Sequence, residues 1–506
     1  MRFTSLIVEL VRARPRLIFW IAVLLQSALW FTLPMLLYPS PPGNMPAVLA
    51  FGREYQIGND IAPPLALWLA DIAFRLAGNH IFGVYLLAQL CFIATMWALF
   101  ELGTLIVGRQ QAVLAVLLTA TITVFSFPGV EFGPAVLARP LWALILLHAW
   151  QVIGQGQRNA WFALSIEAGL LLMTTHAAIL LLLLLFGFMF ATARGRQALK
   201  SVDPWFALLV VVVLVLPYLV WLTRAHVLQM PILMPLSDIT GTFWHWGELL
   251  SRLVFPLVGT AILLVFGSRR WSRKPEDAPV IFRSSVGPLA RSFVVYFTCV
   301  PPLVITLLSS LFGFEQIAGG TDTMLLMVGL AVIVFSNDHI PLHRQEILRA
   351  VWGAIIVAPA VAVLAMTFIQ PWTDTTEIKT LFPATEMGRF FSESYERRTG
   401  QGLRIVAGDD QLSSLIGLGA TQHPRVLFDA TPERTPWVTS AELLQSGGIV
   451  LWRAADTAGT PPEDIARRFP GLAPEVPRVF ERMVNGRQPV LRVGWAIVRP
   501  KSTPAK

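Results

Sequence analysis

The chain has 506 residues, 55% of them hydrophobic and only 14% charged, with a mean hydropathy of +0.62. That balance excludes an ordinary soluble domain, which would be left with a large apolar surface. A net charge of +8 and a pI near 9.9 would suit nucleic acid, but the excess Lys and Arg sits in short loops beside apolar runs, where membrane topology accounts for it, so nucleic acid is excluded as a partner.

The apolar runs are helix-length, as a bilayer core of roughly 20 residues per helix requires, and are not the short alternating segments of a barrel strand. They predict about eleven spans at 17–37, 81–104, 111–127, 135–153, 160–174, 176–193, 205–223, 250–267, 292–313, 322–336 and 350–370. The first run is too long for a cleavable signal core and reads as an uncleaved span. Cys91 and Cys299 both fall inside runs, so neither a disulfide framework nor a thiolate metal site is expected.

With the N-terminus inside, the inner loops carry Arg109; Arg158; Arg194, Arg196 and Lys200; the cluster Arg269, Arg270, Arg273, Lys274, Arg283 and Arg291; and Arg344 and Arg349. Outer segments before residue 371 carry only Arg53, Arg75, Arg224 and Arg252. The asymmetry orients the chain, and an odd number of spans sends its C-terminus outside.

Three outer segments draw attention. Tyr38–His80 is long and predicts two helical pieces, 44–55 and 63–77, lying flat at the interface. Pro63 and Pro64 open the second piece, where a missing N–H is harmless. The loop carries Arg53, Glu54, Asp60, Asp71 and Arg75. The next outer segment holds Glu131 at the surface and Arg139 one turn into the following span, either snorkelling or facing a cavity. The third, Arg224–Glu248, reads as a loop with His226, Asp238, Trp244, His245 and Trp246. His148, Glu167 and His176 read as polar contacts between helices, with Glu167 and His176 as a pair.

At Gln370-Pro371-Trp372 the composition turns polar. Met387–Arg398 predicts an amphipathic helix, and 403–407, 425–428, 448–452 and 490–498 predict strands. The expected fold is therefore an all-α polytopic membrane domain over 1–370, with the loop 38–80, followed by a small α/β domain over 371–506.

Several stretches resemble the GT-C superfamily of polyprenyl-phosphate-sugar-dependent glycosyltransferases. They are LAFGREYQIG (49–58), PPLALW (63–68), FGPAVLARPLW (132–142) and GLLLMTTHAA (169–178), then VAGD (406–409), PRVLFD (424–429) and Pro436-Trp437 in the tail. More closely, they resemble the bacterial branch that includes lipid A aminoarabinose transferases, protein mannosyltransferases and lipopolysaccharide galacturonosyltransferase-like proteins.

The resemblance implies a multi-pass protein of the bacterial inner membrane with a periplasmic tail. It implies sugar transfer from a polyprenyl-phosphate donor to a lipid or cell-envelope glycan acceptor, with inversion, on the periplasmic face. A loop carboxylate would act as general base or hold a divalent cation on the donor phosphate. Here the usual acidic places hold Asn44 and Ala47, the residue before the prolines is Ala62, the second loop offers Gly133 and Ala135, and Thr175-His176 replaces a Lys-Tyr pair.

Two readings follow. In one, Asp60, Glu54 or Glu131 supplies the acid, while Arg53, Arg139 and Arg75 clamp the phosphate; no protein metal site is assigned, and a divalent cation is left open. In the other, the fold persists as a polyprenyl or glycolipid binder or scaffold without chemistry. A transporter or flippase is the rival from another class, but neither inverted repeats nor clearly broken spans are evident.

Overall fold

The computed structural model describes residues 9–59, 62–127, 129–225, 239–267, 280–282, 285–317, 319–336, 339–341, 345–429 and 437–500. Asp60, His226, Asp238, Pro436, Arg344 and the basic residues 269–283 lie outside the described residues.

In chain order the helices are α1 (Pro15–Leu37), α2 (Met45–Arg53), α3 (Leu65–Leu76), α4 (Phe82–Val107), α5 (Arg109–Thr119), α6 (Pro134–Gln155), α7 (Ala160–Leu172), α8 (Ala178–Ala191), α9 (Ala193–Leu199) and α10 (Asp203–Arg224). They continue as α11 (Ile239–Val254), α12 (Val258–Gly267), α13 (Pro288–Leu311), α14 (Thr321–Leu325), α15 (Val328–Phe335) and α16 (Gln345–Phe368). Two short strands, β1 (Val280–Phe282) and β2 (His339–Pro341), pair antiparallel.

Each expected apolar run is helical. Among the described residues, however, seven helices are long and apolar enough to cross a bilayer, or eight if the bent pair α8–α9 is one span. The other runs make shorter pieces: α5, α7, and α14 with α15. The hydropathy pattern shows where apolar helix lies, but breaks such as the 109° bend between α8 and α9 leave no mark in apolar content. The predicted third outer loop is also corrected, because 239–248 is the first part of a continuous span, Thr240–Phe266. There the Trp246 indole donates to Thr306 Oγ1 at 3.1 Å and His245 Nε2 meets the Phe314 carbonyl at 3.0 Å.

Contacts group the chain into two compact units. One comprises Met1–Thr32, Leu86–Gly129 and Pro134–Ala360; the other Leu33–Tyr85, Val130–Gly133 and Val361–Lys506. In the first, α6, α7 and α10 pack side by side. Several polar side chains inside it are paired. His148 Nδ1 meets the Glu167 carboxylate at 2.8–2.9 Å, and His176 Nε2 meets the Tyr218 hydroxyl at 2.8 Å. The expected Glu167–His176 pair is therefore replaced by two other pairs. Glu167 reaches His148 on α6, and His176 reaches Tyr218 on α10.

In the second unit, α17 (Ala384–Thr399), β3 (Ile405–Gly408), α18 (Asp410–Gly419), β4 (Arg425–Leu427), α19 (Ser440–Ser446), β5 (Gly448–Arg453), α20 (Glu463–Arg468), β6 (Pro474–Phe480) and β7 (Leu491–Val498) form an α/β fold. The sheet order is β4-β3-β5-β7-β6. The β3 strand runs parallel to β4 and β5, and β7 runs antiparallel to β5 and β6. Asp409 caps α18, its carboxylate accepting the Leu412 N–H at 2.8 Å. Met387, Phe391 and Tyr395 of α17 bury against Ile449, Leu451 and Trp495 of the sheet. The helices α2 and α3 belong to this unit.

Candidate active site

The site is built from the first loop upward. Pro46 suits the first turn of α2, which buries Met45, Val48, Leu49 and Phe51. Its N-terminus is held by Glu131, whose carboxylate accepts the Asn44 N–H at 3.0 Å. Gly43 has φ +58°, a backbone that favours glycine, and a Cβ there would push the Glu131 carboxylate aside. At the other end of α2, a Cβ on Gly52 would meet the Leu67 carbonyl. The absence of a side chain there lets α2 and α3 cross closely.

That crossing delivers Arg53, Glu54, Asp71 and Arg75 to one cavity of about 350 Å³, whose far wall includes His423 and Arg425. Glu54 accepts two bonds from Arg425, at 3.0 Å from Nε and 2.9 Å from Nη2, and Arg425 Nη1 reaches Glu442 at 3.0 Å. Asp71 is 3% exposed and accepts the Tyr55 hydroxyl at 2.7 Å and Arg75 Nε at 2.6 Å. Arg53 is different, because the partner the structure gives it is the His423 carbonyl oxygen and not a carboxylate. Burial pushes the Arg53 guanidinium below its usual range, and the Arg75 charge adds to this, while Asp71 and Glu54 oppose it. An anion beside Arg53 would relieve that strain.

The structure thus brings Arg53, Glu54 and Arg75 together. Glu131 lies outside that cavity's lining and serves as the anchor of α2. Asp60 lies outside the described residues. Arg139 belongs to the first unit, where it is 7% exposed and its Nη2 pairs with Asp322. Its Nε and Nη1 have no partner among the described residues. Sequence reasoning missed Asp322, His423 and Arg425, and passed over Asp71. For Asp71 a signal existed: it shares a helical face with Arg75 four residues on. Among the described residues no three His, Cys, Asp or Glu side chains converge as a metal would need.

The fold is that of a polytopic helical protein with a small C-terminal sheet region. The family model described as dolichyl-phosphate-mannose-protein mannosyltransferase matches residues 62–221. Among solved structures, the chain is similar to ArnT from Cupriavidus metallidurans bound to undecaprenyl phosphate, with 11% identity, a TM-score of 0.58, and 95% of this chain and 97% of that one covered. Against the apo state of the same protein the figures are 13%, 0.57, 96% and 98%. No curated protein matches by sequence.

Two outcomes test this arrangement. Gly43→Ala should displace Glu131 and lower stability by about 1 kcal/mol. Adding Glu131→Ala to that variant should cause little further loss of the thermal midpoint; additive losses would show that Gly43 and Glu131 act independently. Second, burial and then the Arg53 charge hold the His423 imidazole below its ordinary 6.5. Its contribution to stability is complete above 6.5 and is lost as pH falls toward the depressed folded value. Melting between pH 7 and 5 should therefore fall less in His423→Asn, a residue that tolerates the φ of +45° found there. Parallel pH profiles would reject the assignment.

Proposed function

We propose that this chain is a membrane glycosyltransferase that moves a sugar from a polyprenyl-phosphate donor to a lipid or envelope-glycan acceptor at the periplasmic face of a bacterial inner membrane. The observation that carries the reading is the Arg53 guanidinium, beside Arg75 in a polar cavity and facing a carbonyl instead of an acid. Two guanidiniums in one cavity suit a phosphate. The fold likeness to a protein solved with undecaprenyl phosphate bound supports the same donor class. The orientation rests on the basic inner loops, which place the N-terminus in the cytoplasm and the tail in the periplasm.

In this reading Arg53 and Arg75 grip the donor phosphate. The acceptor oxygen bonds to the anomeric carbon as the carbon–oxygen bond to phosphate breaks. The electron pair leaves on the polyprenyl phosphate, and the acceptor proton passes to a carboxylate. Of the three acids considered, Glu54 is held by Arg425 and Glu131 by the α2 N-terminus. A base needs a free lone pair within reach of the hydroxyl, and Asp60, the remaining acid of that loop in the sequence, is the residue we propose for it. One observation favours the second reading, a binder without chemistry: Asn44, standing where relatives carry an acid, is merely the residue before α2.

The two readings separate in a deletion strain whose lipid A and glycolipids are weighed by mass spectrometry. A missing sugar that returns with the native gene but not with Asp60→Asn supports the enzyme; an unaltered lipid profile supports the binder. With purified protein, Asp60→Asn should slow transfer by about 10²–10⁴-fold. Arg53→Ala should raise the half-saturating donor concentration about tenfold. Unchanged donor dependence would remove Arg53 from the phosphate site.

A further inference from the structure

The first unit holds a second concavity, of about 450 Å³, at the end of α6 remote from Pro134. Its wall includes Gln155, Gln157, Arg158, Trp161, Arg194 and Asp203. Arg158 is fixed by a two-point ion pair, its Nε and Nη2 reaching the Asp203 carboxylate at 2.8 and 2.9 Å. Arg194 is fixed by the Gly154 carbonyl, which accepts from Nη1 at 2.7 Å. These bonds orient both guanidiniums while leaving Nη1 of Arg158 and Nε and Nη2 of Arg194 without a partner among the described residues.

Two further observations say what that ligand is. Two guanidiniums, Arg158 and Arg194, line the concavity with one carboxylate, Asp203, and Arg196 and Lys200 follow Arg194 closely in sequence. Arg196 is already committed to the Phe190 and Ala191 carbonyls. Next to the polar wall the surface turns strongly apolar: Phe162 is 68%, Phe190 64%, Trp205 70% and Phe206 64% exposed. In a chain built of membrane-length helices, such a belt faces acyl chains. A cationic notch above an acyl-facing belt matches a molecule with a phosphate at one end and hydrocarbon at the other.

We propose that this concavity is a binding site for the phosphodiester headgroup of an anionic phospholipid, gripped by Arg158 and Arg194 with its chains on the belt at Phe162, Trp205 and Phe206. The site does not depend on the transferase reading. The guanidiniums supply charge and donors, the glutamines accommodate the glycerol hydroxyls, and Trp161 marks the interface level.

Purified full-length protein, stripped of lipid in detergent, tests this by native mass spectrometry and thermal unfolding with added phosphatidylglycerol, cardiolipin, phosphatidylcholine or inorganic phosphate. The anionic lipids should bind and raise the unfolding midpoint, with phosphatidylcholine weaker. Arg194→Gln, which leaves the Arg158–Asp203 pair intact, should weaken anionic-lipid binding about fivefold. Arg291→Gln, at another span end, should not. Equal binding of phosphatidylcholine, or lipid affinity unchanged in both Arg194→Gln and Arg158→Gln, would overturn the proposal. Stabilisation by inorganic phosphate alone, matching that of the lipids, would assign the notch to a free anion and overturn the lipid.

Discussion

The ion pair between Glu54 and Arg425 spans 371 residues of sequence, and the second unit depends on it. Each partner is fixed by the other, since Glu54 accepts two of the three nitrogens of Arg425 and Glu442 takes the third. The Glu54 side chain is only 11% exposed, so removing Arg425 would strand a mostly buried carboxylate. That loss is much larger than the ~0–1 kcal/mol of an exposed pair. Aromatic packing runs parallel to it. Phe51 stacks on Phe428 at 4.2 Å and meets Trp437 edge-on at 5.3 Å. The first loop is thus bound to the sheet by charge at one residue and by rings three residues earlier.

This constraint decides which groups are left for chemistry. Glu54 and Asp71 are each held by an arginine, and Glu131 by a helix N-terminus. Their oxygens are already engaged by donors of this chain. Arg53 escapes such neutralisation. Its place at the C-terminal end of α2, beside two other arginines, leaves the cavity with an appetite for negative charge that its own residues do not satisfy.

Much of this architecture was legible beforehand. The pieces expected at 44–55 and 63–77 are α2 and α3, and the tail strands expected at 425–428, 448–452 and 490–498 are β4, β5 and β7. Local patterning carries such elements, since apolar spacing and prolines act within a few residues. Strand β6 was not legible. It carries Pro474, Glu475, Pro477 and Arg478, and an edge strand with one partner tolerates proline and charge that a central strand rejects. The composition of the site was half legible. Arg53, Glu54 and Arg75 were identified from the loop, but His423 and Arg425 come from a sheet whose position relative to that loop no periodicity records. Pairing was least legible: Glu167 had two histidines within reach in sequence, and helix packing chose His148.

The same pairing bears on whether the helical unit moves a substrate through itself. A translocation path needs polar groups that change partners as cargo passes, and intramembrane charges are the usual sign of one. Here the intramembrane groups are matched to one another: His148 with Glu167, His176 with Tyr218, and Arg139 with Asp322. Such pairs neutralise charge and fix helix neighbours. The exception is Arg139, whose remaining nitrogens lack partners among the described residues. A buried guanidinium with unsatisfied N–H groups is costly, and the cost falls if an oxyanion or water fills that place. The arrangement resembles a scaffold with a few fixed polar contacts more than a relay.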